Sequence, residues 1–387
     1  MSAGSVAMTT AVLWALALGP STSAQTVTAP DLKTIAGADK TTVVVLEETW
    51  RTVDQPGAFY FSSPEPPQID ELGFVWVADE GQLLLFSPQG KFVRNFFKKG
   101  QGPGELTDLA GFIPESGRVL VFNRNPNKMI VFDRAGEVLQ EAPLPSTLGY
   151  ARLLGGRQGR FYFFHEYYSE STGGKAVFLD VPVRLLSAGP GDVQARTEGP
   201  WFSKRYFVRD RSSLKNVYFV QIAGADEATY FIASSGSYDI RRLDLSRMEI
   251  SPFVSRDYRP VKIRPEWKTP KDKFRAPSQT LTGSEIKVFE HETLDDVLKI
   301  WVRGGKIWVL TSTFDEARRL ARVDVYDLKA SLLGSLMLPV PRGLELMRLS
   351  YAPLTLHADG LYVLAPTETE ALELVRYSLS GLPGWAR

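Results

Sequence analysis

One pattern recurs six times along the 387 residues: an apolar strand, a short turn carrying glycine, an aromatic strand, and a third strand ending near Asp or Ser. The first copy reads Gln68-Ile69-Asp70, Gly73, Val75-Trp76-Val77-Ala78-Asp79, then Leu83-Leu84-Leu85-Phe86-Ser87-Pro88-Gln89-Gly90. The second reads Ala110-Gly111-Phe112-Ile113, Gly117, Val119-Leu120-Val121-Phe122-Asn123, then Met129-Ile130-Val131-Phe132-Asp133-Arg134-Ala135-Gly136. Phe86 to Gly90 and Phe132 to Gly136 share one spacing. Weaker copies centre on Phe161-Tyr162-Phe163-Phe164, Tyr230-Phe231-Ile232, Ile307-Trp308-Val309 and Leu361-Tyr362-Val363. A repeat of this period means that each copy is a unit too small to bury its own apolar faces.

Stacking is what completes such a unit. Four antiparallel strands per copy, packed radially against their neighbours through the aromatic positions, form one interior with only short exposed edges. Helical periodicity is scarce, and the 32 glycines and 25 prolines are spread along the chain as turn residues. The expected fold is therefore all-β: a six-bladed β-propeller of four-stranded antiparallel blades.

Closure makes a further demand. The sixth copy has its third strand at Leu374 to Ser378, and the remaining residues to Arg387 leave little room for a fourth. Upstream of the first copy lies Thr41-Thr42-Val43-Val44-Val45-Leu46, strongly β-prone. Residues 41–47 are expected to supply the outer strand of the last blade and to remove an exposed edge.

Ahead of that strand, Ala11 to Leu18 forms a short apolar core followed by Gly19-Pro20 and the small residues Ser21-Thr22-Ser23-Ala24. The run is too short to span a bilayer and reads as a secretory signal peptide over residues 1–24. Residues 25–387 then form one domain, exported to the periplasm or the cell exterior and without a membrane span. Cysteine is absent, which excludes disulfides, thiolate nucleophiles, zinc-thiolate sites and the acylated cysteine of a lipoprotein. A net charge of +1 lacks the basic excess that general nucleic-acid binding requires. The expectation is a monomer with no nucleic-acid partner.

The motifs of the first two copies resemble the NHL-repeat type of six-bladed propeller found in secreted bacterial proteins. The matching elements are Trp76-Val77-Ala78-Asp79, Phe86-Ser87-Pro88-Gln89-Gly90 and Gly100-Gln101-Gly102-Pro103-Gly104-Glu105, and the close match covers roughly residues 65 to 140. The resemblance implies the fold; the family itself spans binding modules, uncharacterised proteins and a few lyases and lactonases. Fold alone does not assign function.

Chemistry-bearing motifs are few. Gly100 to Gly104 lacks the following helix of a dinucleotide loop and reads as a turn between blades. Asn123-Arg124-Asn125-Pro126-Asn127 has no carboxylates for calcium and reads as a turn. The histidines are His165, His291 and His357; the first and last fall in blades three and six, on opposite sides of the ring, which argues against a shared metal. No HExxH, Gly-x-Ser-x-Gly or P-loop occurs. Neither a catalytic residue, a cofactor nor a metal is assigned.

Charge placement says more. From Lys204 to Arg275 there are 16 Lys/Arg and 9 Asp/Glu. Removing the signal leaves 363 residues, about 60 per blade against ~40–50 in common propeller repeats. The extra length is expected in long interblade linkers near 198–216 and 255–296. Strand parity puts those linkers on one face with the loop after the second strand of each blade, and long loops on a rigid scaffold are where binding sites arise. The candidate ligand-face residues are Asp79, Asn123, His165, Tyr167, Tyr168, Arg205, Arg209, Arg211 and Trp267. The reading is a non-enzymatic exported recognition or scaffold module that binds a protein, glycan or anionic ligand on this face. The alternative is an NHL-like metal-dependent lyase or lactonase acting at the channel mouth.

Overall fold

A strand whose two faces both meet other blades should be apolar at every position rather than at alternate ones. Val75–Asp79 and Gln82–Phe86 behave this way, buried at all ten positions. The alternation survives as a division of labour. Val75, Val77, Leu84 and Phe86 pack toward blade six with Tyr362, Leu364 and Leu374. Trp76, Ala78, Leu83 and Leu85 pack toward blade two with Phe112, Val121, Ile130 and Phe132.

A computed structural model describes residues 42–115, 117–149, 151–166, 177–208, 214–216, 220–234, 237–258, 261–262, 273–277, 286–290, 294–346, 349–367 and 371–387. The chain enters through β1 (Thr42–Val43) and β2 (Val45–Val53). Blade one is β3 (Gln68–Ile69), β4 (Val75–Asp79), β5 (Gln82–Phe86) and β6 (Phe92–Asn95). Blade two is β7 (Asp108–Glu115), β8 (Arg118–Arg124), β9 (Lys128–Asp133) and β10 (Val138–Pro143). Blade three is β11 (Arg152–Arg157), β12 (Arg160–Glu166), β13 (Val177–Ala188) and β14 (Arg196–Val208), with the short β15 (Leu214–Asn216) added at its edge. Blade four is β16 (Val220–Gly224), β17 (Thr229–Ser234), β18 (Asp239–Asp244) and β19 (Glu249–Ser255). A separate hairpin, β20 (Lys273–Pro277) and β21 (Ile286–Glu290), precedes blade five. Blade five is β22 (Val297–Arg303), β23 (Lys306–Asp315), β24 (Leu320–Asp327) and β25 (Leu332–Pro339). Blade six is β26 (Leu354–His357), β27 (Gly360–Pro366) and β28 (Leu372–Ser380), completed by β2. The protein is a six-bladed β-propeller of antiparallel blades.

Each of the six blade-to-blade interfaces has its own apolar cluster, so the core is a ring rather than a centre. Besides the two already given, Leu120, Phe122, Phe161 and Phe163 join blades two and three. Leu154, Phe164, Tyr230 and Ile232 join three and four; Phe231, Ile240, Ile307 and Val309 join four and five. Trp308, Leu310, Leu354 and Val363 join five and six. A fully buried side chain of this size contributes roughly 1.5–3 kcal/mol, and every such residue needs the next blade to be buried at all.

Polar locks reinforce two of these interfaces. Between blades one and two, Arg134 lies 2.9 Å from the buried Asp70 and its guanidinium sits over the Phe74 ring. Between blades four and five, Asp324 is fully buried and meets four donors. Its Oδ1 accepts from Arg322 Nε at 2.7 Å and Ser335 Oγ at 2.6 Å. Its Oδ2 accepts from the Tyr238 hydroxyl at 2.9 Å and pairs with Arg256 at 3.1 Å.

Closure follows the expected principle with different boundaries. β2 pairs antiparallel with β28 over Val45 to Val53 and forms the outer strand of blade six. The expected strand at 41–47 was too short and too early: residue 41 lies outside the described residues, and Thr42–Val43 pairs instead in parallel with β25 of blade five. Glu47–Val53 escaped notice because an outermost strand keeps one face in water, so its sequence is polar at most positions. Trp50 anchors this strand to blade one. Its Nε1 donates to Pro88 O at 3.0 Å, and its ring lies so close to Gly90 (φ 77°) that a Cβ there would sit 2.5 Å from Trp50 Cε3.

The segment expected as a linker near 198–216 is corrected as well. Residues 196–208 are strand β14, and 214–216 pair with its end. The register places Val183 opposite Glu166, the last residue of β12. Residues 177–182 therefore pair with 203–208 beyond the body of the blade, an arm of roughly 20 Å on the linker face. Mixed aromatic and basic composition had read as loop; the backbone ladder makes it sheet. The expected linker near 255–296 likewise contains the β20–β21 hairpin.

Candidate ligand site at the channel mouth

The first strand of every blade is the innermost. First strands touch one another directly, β7 with β11, β16 with β22 and β22 with β26, and so wall the central channel. All run from the linker face toward the hairpin face, so their leading residues ring the channel mouth on the linker face.

Four of those positions carry charge. In blade one, Glu65 extends the first strand through its N–H bond to Ala78 O at 2.9 Å. Blade two contributes Asp108, paired with Arg124 at 3.1 Å. Blade three contributes Arg152 and blade five Lys299. The charge of Arg152 acts on both Glu65 and Lys299. Blades one, three and five share no edge, so these charges act on one another across the channel.

Of the four, the two cations have no ion pair among the described residues. Arg152 is exposed and makes no hydrogen bond or ion pair among the described residues. Lys299 is 6% exposed, and its one hydrogen bond runs to the carbonyl of Ser350 at 3.2 Å. Burial, with the Arg152 charge beside it, brings the Lys299 ammonium down to about 7. Glu65 touches water yet has protein close around it, as a channel mouth requires. That crowding pushes its carboxyl up, against the pull of Arg152 and Arg124. At the same rim Asp296 is pushed up to about 6 by burial and by Asp295, although the Tyr238 N–H donates to it. A cluster of perturbed groups in a concavity marks a functional-site candidate.

The residues singled out in the sequence fall differently. Asp79 ends β4 and accepts from the backbone N–H groups of Ser62, Ser63 and Glu80, each at 2.7 Å. Burial still raises its carboxyl. Asn123 is fully buried; its Oδ1 accepts from Thr107 N and Asp108 N, and its Nδ2 donates to Arg124 O and Pro126 O. Both hold turns on the linker face. His165, half-buried near the end of β12, is on that face too. The backbone of Arg205 lies in the arm, opposite Asp180. Tyr167, Tyr168, Arg209, Arg211 and Trp267 lie outside the described residues. Glu65, Arg152 and Lys299 were missed, although Val297-Leu298-Lys299-Ile300-Trp301 carried a signal: one lysine interrupts an otherwise apolar inner strand.

Among the described residues no three His, Asp or Glu side chains converge as a metal would need. His165 lies at the linker end of blade three. His357 is at the hairpin end of blade six, 2.7 Å from Asp359. His291 lies outside the described residues.

Comparison with known proteins agrees on the fold. Residues 69–181, under a third of the chain, match a family model described as a 6-bladed β-propeller. A solved member of the DUF4221 family from Bacteroides vulgatus is 11% identical with a TM-score of 0.52, covering 88% of this chain and 99% of that one. The virginiamycin B lyase of Staphylococcus aureus is 14% identical with a TM-score of 0.40, covering 87% and 99%. A gluconolactonase of Xanthomonas campestris is 13% identical with a TM-score of 0.39, covering 89% and 99%. Likeness this slight to the two enzymes carries no argument about activity. No curated protein matches the sequence. Among the described residues no helix is long and apolar enough to cross a membrane.

Proposed function

We propose that this propeller is an exported, non-enzymatic recognition module whose linker-face channel mouth binds an anionic ligand. The observation that carries the reading is that Arg152 and Lys299, from two non-adjacent blades, act on each other while neither has a carboxylate ion pair among the described residues. A buried ammonium beside a guanidinium is costly unless an anion joins them. The ligand's acidic group would bridge the two cations, while Glu65, on the opposite wall, would accept a hydroxyl or amide proton.

The test is calorimetric titration of the purified protein with phosphate, sulfate and citrate. At least one should bind, and Arg152→Gln should weaken it at least tenfold with an unchanged Tm. Binding should also weaken as the pH rises through about 7, where Lys299 gives up its proton. Loss of all anion binding, or binding indifferent to Arg152, would defeat the proposal. Stoichiometric zinc or calcium in the purified protein would move the reading to the lyase or lactonase class.

A further inference from the structure

The opposite face carries a second concavity that the channel mouth does not use. A cleft of about 210 Å³ opens between blades two and three, among the hairpin turns. Its floor is apolar, built by Leu120 and Val131 of blade two and Phe161 of blade three, all buried. Its rim is polar, with the side-chain amides of Gln140 and Gln158 and the carboxylates of Glu115 and Glu227.

The β11–β12 hairpin accounts for the charge at this rim. Its register sets Arg157 directly opposite Arg160, an arrangement that destabilises a sheet unless something neutralises it. Arg160 is neutralised internally by Asp192 at 3.0 Å and also donates to the Ser187 hydroxyl. Arg157 is not. It lines the cleft, half-buried, with no hydrogen bond or ion pair among the described residues. The neighbouring Arg118 is already paired with Glu115 at 2.6 Å. The turn between the two arginines is tight, with Gln158 at φ 51° and Gly159 at φ 74°. It fixes where Arg157 starts from.

We propose that this cleft seats one uronic acid residue of an acidic glycan, its carboxylate on Arg157. An arginine forks onto a carboxylate through two parallel N–H donors. The C–H face of a sugar ring suits a floor of Leu, Val and Phe, and its hydroxyls suit a rim that mixes amide donors with carboxylate acceptors. A peptide carboxylate would leave Glu227 at the rim without a donor to accept from, which favours the sugar.

The probes are D-glucuronate, D-galacturonate, methyl glucoside and acetate, titrated against the full chain with saturation-transfer NMR and calorimetry. The uronates should bind, with methyl glucoside and acetate each at least tenfold weaker. Arg157→Gln should cost at least fivefold, and Arg157→Lys should restore part of it. Because Arg157 faces a like charge, its removal should leave the Tm unchanged or raised, so lost binding cannot be blamed on misfolding. Arg152→Gln, on the other face, should leave uronate binding at this cleft intact. Equal binding of glucoside or acetate, uronate binding unaffected by Arg157→Gln, or no binding at all would overturn the proposal.

Discussion

At the scale of single residues, the interfaces hold together through groups that no linear reading pairs. Asp324 is satisfied by donors from β24, β25, the turn before β18 and the segment after β19. Asp324→Asn removes the charge that Arg256 and Arg322 share, and breaking a buried pair from one side costs about 3–5 kcal/mol. Guanidinium unfolding should show that loss at constant m. Lys299 makes a pH prediction. Its folded value of about 7 lies below the ordinary 10.5, so between those values the unfolded chain holds more protons. Stability should therefore rise with pH across that window, and below about 7 the full penalty of the buried ammonium applies. Lys299→Met should flatten the rise and increase Tm at pH 6 by a few degrees. Neither residue's role was legible: Asp324 stands in a strand that reads apolar, and Arg152 meets Lys299 only after the ring has formed.

At the scale of elements, what could be read depended on how many faces a strand buries. Val75–Asp79 and Lys306–Asp315 announce themselves, since a strand between two blades is apolar almost throughout. Val45–Val53 does not, and only its opening valines suggested a strand. The pairing of 177–182 with 203–208 was missed for another reason, the mixed aromatic and basic composition of 198–216. Truncation separates the two parts of the leading segment. Deletion through Val43 should keep all six blades, because only the short parallel pairing with β25 is lost. Deletion through Val53 removes the outer strand of blade six and the Trp50 contact with Pro88 and Gly90. Scattering should then show a larger radius, and unfolding should lose its single transition. An intact radius and one sharp transition after that deletion would refute closure by β2.

For the molecule as a whole, repetition was enough to give the blade number, because six copies of one pattern need six partners. The site was not given, since its charges come from blades one, three and five and their proximity is a property of the ring alone. Turn residues such as Asp79 and Asn123 attract attention in the sequence for the same reason that the fold needs them. They stand where strands end, and there their side chains satisfy backbone N–H groups.

The seam of the ring lies between a strand that precedes all of blade one and the last strand of blade six. Val45–Val53 can find its place only once Leu372–Ser380 exists. Throughout synthesis, five blades can stack while the sixth stays ajar, its edge unpaired and its aromatic surface wet. Any agent that prevents clumping, or that carries the chain across a membrane before it sets, has until that final handshake to act.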